Sequence, residues 1–110
     1  MRASTTAVTE ADNRHAVTIA VGDTLVVSLK TTPGTGFSWK ISQIDDKVLH
    51  QQGEPQLLKA ANPIPGAPAT QVFRFVAASG GSTDLELDYV RPWEKSAPPQ
   101  RTFYLGVTVR

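Results

Sequence analysis

Apolar residues in this chain recur at every second position, a rhythm that buries one face of a β-strand and no face of a helix. Val17, Ile19 and Val21 alternate with Thr18 and Ala20; after a Gly22-Asp23 turn, Leu25, Val27 and Leu29 keep the pattern, joined by Val26. Phe37, Trp39 and Ile41 alternate with Ser38 and Lys40, and Phe73, Phe75 and Ala77 with Arg74 and Val76. Leu85, Leu87 and Tyr89 alternate with Glu86 and Asp88, and Phe103, Leu105, Val107 and Val109 close the series. No window carries apolar residues at i, i+3, i+4 and i+7, and residues 44–49 have room for one helical turn at most.

With a weaker run over 55–59, the pattern amounts to about seven strands punctuated by Gly, Pro and Ser, the signature of an antiparallel sandwich or barrel. A chain of 110 residues suffices for one domain with a single two-layer core. The expected fold is therefore an all-β, immunoglobulin-like antiparallel β-sandwich spanning residues 1–110, with 1–13 as an irregular N-terminal segment. With the strands lettered A to G in order, Trp39 falls on strand C, where such sandwiches bury a Trp, so its expected role is in the core.

Composition removes several functional classes. Eleven Lys plus Arg stand against ten Asp plus Glu, a formal net charge of +1, and the basic residues are scattered. Neither nucleic acid nor an anionic membrane is an expected partner. The absence of cysteine removes disulfides, thiolate metal sites and a nucleophilic thiol. No apolar run approaches the roughly 18 residues of a membrane span, and the opening Met1-Arg2-Ala3-Ser4-Thr5-Thr6 has no apolar signal segment. The compartment is periplasmic or secreted if an export segment has been removed, and cytoplasmic otherwise.

Catalysis has little to stand on. His15 and His50 lie far in sequence from the long loops, and no Ser or Thr is set with a base and an orienting acid. Asp45-Asp46 reads as a solvated turn, and Asp84, Glu86 and Asp88 as one exposed face of strand F, at most a weak cation site. The chain is not expected to be an enzyme, and no cofactor or metal is expected.

Strand reversal collects alternate loops at one end. The A–B turn, the C–D connection and the E–F turn (Ser79-Gly80-Gly81-Ser82) share one end. The B–C (31–36), D–E (60–70) and F–G (91–100) loops share the other, with Pro33, Pro63, Pro65, Pro68, Pro92, Pro98 and Pro99, seven of the eight prolines. Proline reduces a loop's freedom before binding, so that end has the character of a pre-organised, three-part surface, although loops are also simply where prolines go. Trp93, beside Pro92 and outside any strand, is a candidate interface anchor. The alternatives are that its ring folds back on the sandwich, or stacks under Arg91 as a local cation–π pair.

These three loops, in this order, resemble those of the chagasin family of protein inhibitors of papain-like cysteine peptidases. The family's B–C motif, Asn-Pro-Thr-Thr-Gly, then an aromatic or Met, a variable residue and Trp, is matched at Pro33, Thr35, Gly36, Phe37 and Trp39. It is departed from at Thr32 and Gly34. The F–G motif, Arg-Pro-aromatic, is met by Arg91-Pro92-Trp93 after a family-like Leu87-Asp88-Tyr89-Val90. The D–E motif, Gly-x-Gly-Gly, is only echoed by Gly66-Ala67-Pro68-Ala69, followed by Thr70. Gly22-Asp23-Thr24-Leu25 and Phe103-Tyr104-Leu105 extend the likeness over nearly the whole chain.

The resemblance implies reversible, competitive inhibition in a 1:1 complex, by a protein that is monomeric when free. The B–C loop, Thr32 to Phe37, would enter the catalytic cleft with Thr35 as its main polar side chain. The D–E loop, Gly66 to Thr70, would lie along the non-primed groove through backbone hydrogen bonds. Arg91 and Trp93 would grip the primed side. Gly34 removes a hydroxyl, and Pro68 and Ala69 replace glycines, so the expectation is of an inhibitor narrower or weaker in range than the family's best. The competing reading is an immunoglobulin-like adhesion or carbohydrate-binding module at the same loop end, with Trp93 and Tyr104 as stacking platforms.

Overall fold

The alternating runs become strands, and two strands arise where alternation is too short to read. The structure is a computed structural model that describes residues 4–59, 68–94 and 96–110. Its strands are β1 (Thr5–Thr9), β2 (His15–Ile19), β3 (Thr24–Thr31), β4 (Ser38–Gln43), β5 (Leu49–Gln51), β6 (Gln56–Lys59), β7 (Ala69–Ala77), β8 (Gly81–Val90) and β9 (Arg101–Val109). One sheet runs β1-β3-β7-β5, with β6 also on β7, and the other runs β2-β9-β8-β4. Their inner faces supply the core, in which Leu25, Leu29, Phe73, Phe75, Leu85, Leu87 and Phe103 are fully buried. Each such side chain contributes about 1.5–3 kcal/mol through burial.

The immunoglobulin-like sandwich holds, with three corrections. Residues 1–13 are not irregular throughout: Thr5–Thr9 form β1 and Glu10–Asp12 a 3-10 turn. β1 buries only Val8, which leaves no alternation to read. The chain then crosses between sheets, so β1 runs parallel to β3 and β2 parallel to β9. Strand A ends at Ile19, leaving Val21 52% exposed. Strand D is β6, and a further short strand, β5, precedes it across Gly53, whose φ of +74° bends the chain between two short pairings with β7. Residues 45–49 make the single turn expected, with Val48 and Leu49 both donating to the Asp45 carbonyl.

Register brings the loop flanks together. Thr31 and Lys59 both pair with Ala69, Ser38 pairs with Val90, and Tyr89 with Arg101, so all three long loops leave from one end. Trp39 is buried, as expected of strand C.

At the opposite end Asp23 does more than turn the chain. Its carboxylate accepts from the Ser4 N–H at 2.8 Å and the Ala20 N–H at 2.9 Å, tying the entry to β1 to the exit from β2. These bonds hold its carboxyl below the usual carboxylate range. A folded-state pKa below the unfolded one gives stability that is present above about pH 3.9 and is lost as pH falls through the lower folded value. In Asp23→Asn one acceptor becomes a donor facing an N–H. Denaturant titrations are expected to find Asp23→Asn less stable than the parent at pH 7, with the gap closing on acidification; a gap independent of pH contradicts this account.

Candidate functional site

The loop end is organised around Tyr89, the inward-facing residue nearest the end of β8. Its ring lies in the core, 5.0 Å between centroids from Trp39, and its hydroxyl reaches the base of the B–C loop. There the Thr32 N–H donates to Tyr89 Oη at 3.0 Å, and Thr31 Oγ1 lies 3.2 Å from the same oxygen. Phe37 stacks on the ring from the loop side, 5.2 Å between centroids and 23° between planes. Trp39 Nε1 donates to the Lys30 carbonyl, so the indole's one polar atom is satisfied inside the core.

Residues 32–37 form a closed, self-bonded loop. Pro33–Thr35 is a 3-10 turn, and Thr35 N–H donates to the Thr32 carbonyl at 3.1 Å. The Thr35 hydroxyl donates to that carbonyl at 2.7 Å and accepts from the Phe37 N–H at 3.3 Å. Thr35 is exposed, yet its hydroxyl already shapes the loop. Gly34 is exposed, and Gly36 turns the chain at φ +81°.

The F–G loop is fastened to this turn. Arg91 Nε donates to the Thr35 carbonyl at 2.9 Å, its guanidinium lies 4.3 Å above the Phe37 ring, and Glu94 pairs with it at 3.7 Å. A flat pile Tyr89–Phe37–Arg91 results. Arg91 therefore stacks on Phe37, not under Trp93, because the β4–β8 register, with Ser38 opposite Val90, carries Phe37 and Arg91 to facing positions. Trp93 packs against Gly36 so closely that a Cβ there would fall 2.2 Å from the indole, yet the residue remains 67% exposed. One side of the ring therefore rests on the B–C loop and the rest faces outward. Pro92 is exposed in the turn between them.

The D–E expectation needs correction. Ala69 and Thr70 are the first residues of β7: Ala69 is buried and pairs with Thr31 and Lys59, and Thr70 pairs with Lys30 and Leu58. β3 and β6 extend far enough to offer both residues ladder partners, which removes them from the loop. Pro68 is exposed just before the strand, and Gly66 and Ala67 lie outside the described residues. A groove of about 260 Å³ runs between the B–C loop and β6, lined by Phe37, Pro55, Leu57 and Gln71.

Sequence reasoning assigned no site role to Tyr89, Arg101 or Gln71. Arg101 sets its guanidinium 5.3 Å from the Trp39 ring and 5.5 Å from the Tyr89 ring, and is held there by Glu10 of the N-terminal turn. Tyr89 was legible only as another inward residue. Gln71 did leave a signal, a lone amide in step with Phe73 and Phe75.

The sequence matches the family described as chagasin family peptidase inhibitor I42 over residues 18–107. It is 28% identical over 102 residues to Amoebiasin-2 of Entamoeba histolytica, covering 93% of this chain and 83% of that protein. It is 28% identical over 89 residues to chagasin of Trypanosoma cruzi, covering 78% and 81%. In fold it is similar to the crystal structure of a cysteine protease inhibitor from Entamoeba histolytica, with a TM-score of 0.84 at 24% identity over 100% of this chain and 99% of the other.

Two substitutions test the site's construction. Tyr89→Phe keeps the ring's contacts with Phe37, Trp39 and Arg101 and removes the hydroxyl, and is expected to cost about 1–2 kcal/mol in denaturant unfolding while speeding hydrogen exchange at the Thr32 N–H. Gly36→Ala forces a Cβ into both the Trp93 ring and a left-handed backbone, and should cost about 1–3 kcal/mol. Displacement of Trp93 by that Cβ is to be read as a shift in indole fluorescence; an unchanged spectrum would contradict the packing.

Proposed function

Because the chain belongs to the chagasin family of peptidase inhibitors, we propose that it blocks papain-like cysteine peptidases reversibly and competitively, by seating its loop end in the substrate cleft. It is an inhibitor and not an enzyme. The observation that carries the mechanism is the Tyr89–Phe37–Arg91 pile, which holds the B–C loop in one shape before any partner arrives. A loop ordered in advance loses little entropy on docking, so a few anchors suffice for affinity.

In this mechanism residues 32–37 act as the wedge. The 3-10 turn projects Gly34 and Thr35, and Gly34 lets the main chain approach the peptidase's catalytic residues closely. Thr35 presents a methyl group and a hydroxyl oxygen, while its hydroxyl proton stays on the Thr32 carbonyl. Trp93 is the outward anchor on the primed side. Arg91 differs from the family-based expectation: with its guanidinium occupied by Thr35, Phe37 and Glu94, it serves chiefly to hold the wedge. The D–E segment ahead of β7 covers the non-primed side. Cleavage is resisted because a substrate must be drawn out as an extended strand, and this turn is bound into its own loop at both ends.

The sugar-binding alternative loses support from Tyr104. That residue lies on the outer face of β9 and donates its hydroxyl to Asp84 at 2.7 Å, away from the three-loop end that carries Trp93.

Papain inhibition is the direct test, and no inhibition at micromolar protein would refute the proposal. Trp93→Ala should weaken inhibition by about ten- to a hundredfold, as loss of a hot-spot aromatic does. Thr35→Arg, bulky and charged at the wedge tip, should abolish it, while loss of the hydroxyl's bonds to Thr32 and Phe37 lowers the melting temperature by a few degrees and leaves the protein folded at assay temperature. Retained inhibition by Thr35→Arg would remove the B–C loop from the cleft.

A further inference from the structure

The inward face of β7 reads Ala69, Gln71, Phe73, Phe75 and Ala77, so one amide stands in an otherwise apolar row. Register sets it beside Leu29 of β3 and Leu57 of β6. A half-buried amide among such neighbours is unfavourable unless its polar atoms are matched. They are matched by a single residue across the sandwich. The Trp39 N–H donates to Gln71 Oε1 at 2.9 Å, and Gln71 Nε2 donates to the Trp39 carbonyl at 3.0 Å. The side chain thus does for Trp39 what a neighbouring strand would do, at the free edge of the second sheet.

The two ends of this bridge are placed at the two loops. Trp39 is the second residue of β4, directly after the B–C loop, and Gln71 the third residue of β7, directly after the D–E segment. Apolar contact between the sheets is non-directional and tolerates sliding, whereas a paired amide fixes both distance and orientation. Trp39 Nε1 and Tyr89 Oη bond across the sandwich to β3. Gln71 makes the bonds that reach β7, from which the D–E segment departs.

We propose that Gln71 is a positioning residue for inhibition, whose amide locks the spacing between the B–C and D–E loops so that both meet the peptidase cleft together. The proposal rests on the inhibitor function, and it expects a loss of affinity in protein that is still fully folded. Leucine has a similar volume and suits the surrounding apolar row, so Gln71→Leu keeps the packing and removes the lock. Gln71→Glu keeps the acceptor for the Trp39 N–H. When ionised it sets a carboxylate against the Trp39 carbonyl, and when protonated it donates to that carbonyl again.

Melting temperature, papain inhibition and amide exchange are measured for the parent, Gln71→Leu and Gln71→Glu. Gln71→Leu is expected to melt a few degrees below the parent and stay folded at assay temperature, to exchange faster at the Trp39 N–H and to inhibit papain about tenfold less tightly, the loss of one pre-organising constraint. Gln71→Glu, compared with the parent at each pH, should be weak at neutral pH and recover toward about pH 4, as its carboxyl protonates. Parent-like inhibition by Gln71→Leu overturns the proposal. So does a loss in Gln71→Glu that follows its stability at every pH, since that marks a merely structural residue. If Gln71→Leu does not fold, the pH profile of Gln71→Glu decides alone. If the parent itself fails to inhibit papain, the inhibitor function falls, and the lock is judged on the free protein. It stands if either variant speeds exchange at both Phe37 and Thr70, and falls if neither amide changes.

Discussion

Tyr89 joins the two halves of this molecule, because its ring belongs to the core and its hydroxyl to the loop end. Burying a phenol requires a partner for the hydroxyl, and here the partners are Thr31 and the Thr32 N–H, where β3 gives way to the B–C loop. The ring then offers its loop-side face to Phe37, and Phe37 offers its own outer face to Arg91. Each layer is placed by the one beneath it. The shape of an exposed loop is thereby set from the hydrophobic core, in a chain without cysteine.

That construction explains how a short, glycine-containing loop can serve as a rigid element. Gly34 and Gly36 would broaden its ensemble if the loop were free. Three restraints oppose this: the Thr35 hydroxyl bridging Thr32 and Phe37, Arg91 on the Thr35 carbonyl, and the Trp93 ring against Gly36. Gly36 is therefore constrained twice, by its backbone angle and by the indole that fills the space of a side chain. The N-terminal turn adds a further brace, since Glu10 holds Arg101 over Trp39 and Tyr89 and also accepts from the Lys30 N–H.

Much of this was legible beforehand. Alternation located β2, β3, β4, β7, β8 and β9, and strand parity put the three long loops at one end. Loop residues Pro33 to Phe37 and Arg91 to Trp93 carried the family likeness. β1 and β5 were hidden because a strand with a single buried residue, or with three residues, leaves no rhythm. Ala69 and Thr70 were misplaced because a ladder continues for as long as its neighbours do, and the lengths of β3 and β6 are not local properties of residues 69–70. Arg91's intramolecular partners Thr35, Phe37 and Glu94 were not legible, because a charged residue in a loop announces charge and not the identity of its partner.

What the sequence determined by itself was periodicity and therefore the sandwich, together with the residues of its loop end. Both follow from local chemistry, the two-residue repeat of a half-buried strand and the backbone preferences of Pro and Gly. Which loop residues face outward and which hold the loop was decided only by the tertiary structure. Trp39 with Gln71, Phe37 with Arg91, and Glu10 with Arg101 are each far apart in the chain; the first pair meets because the two sheets close on a common core, the other two because the strands beside them pair within one sheet. A side chain's partner is a property of strand pairing and sheet closure together, and no spacing along the chain encodes it.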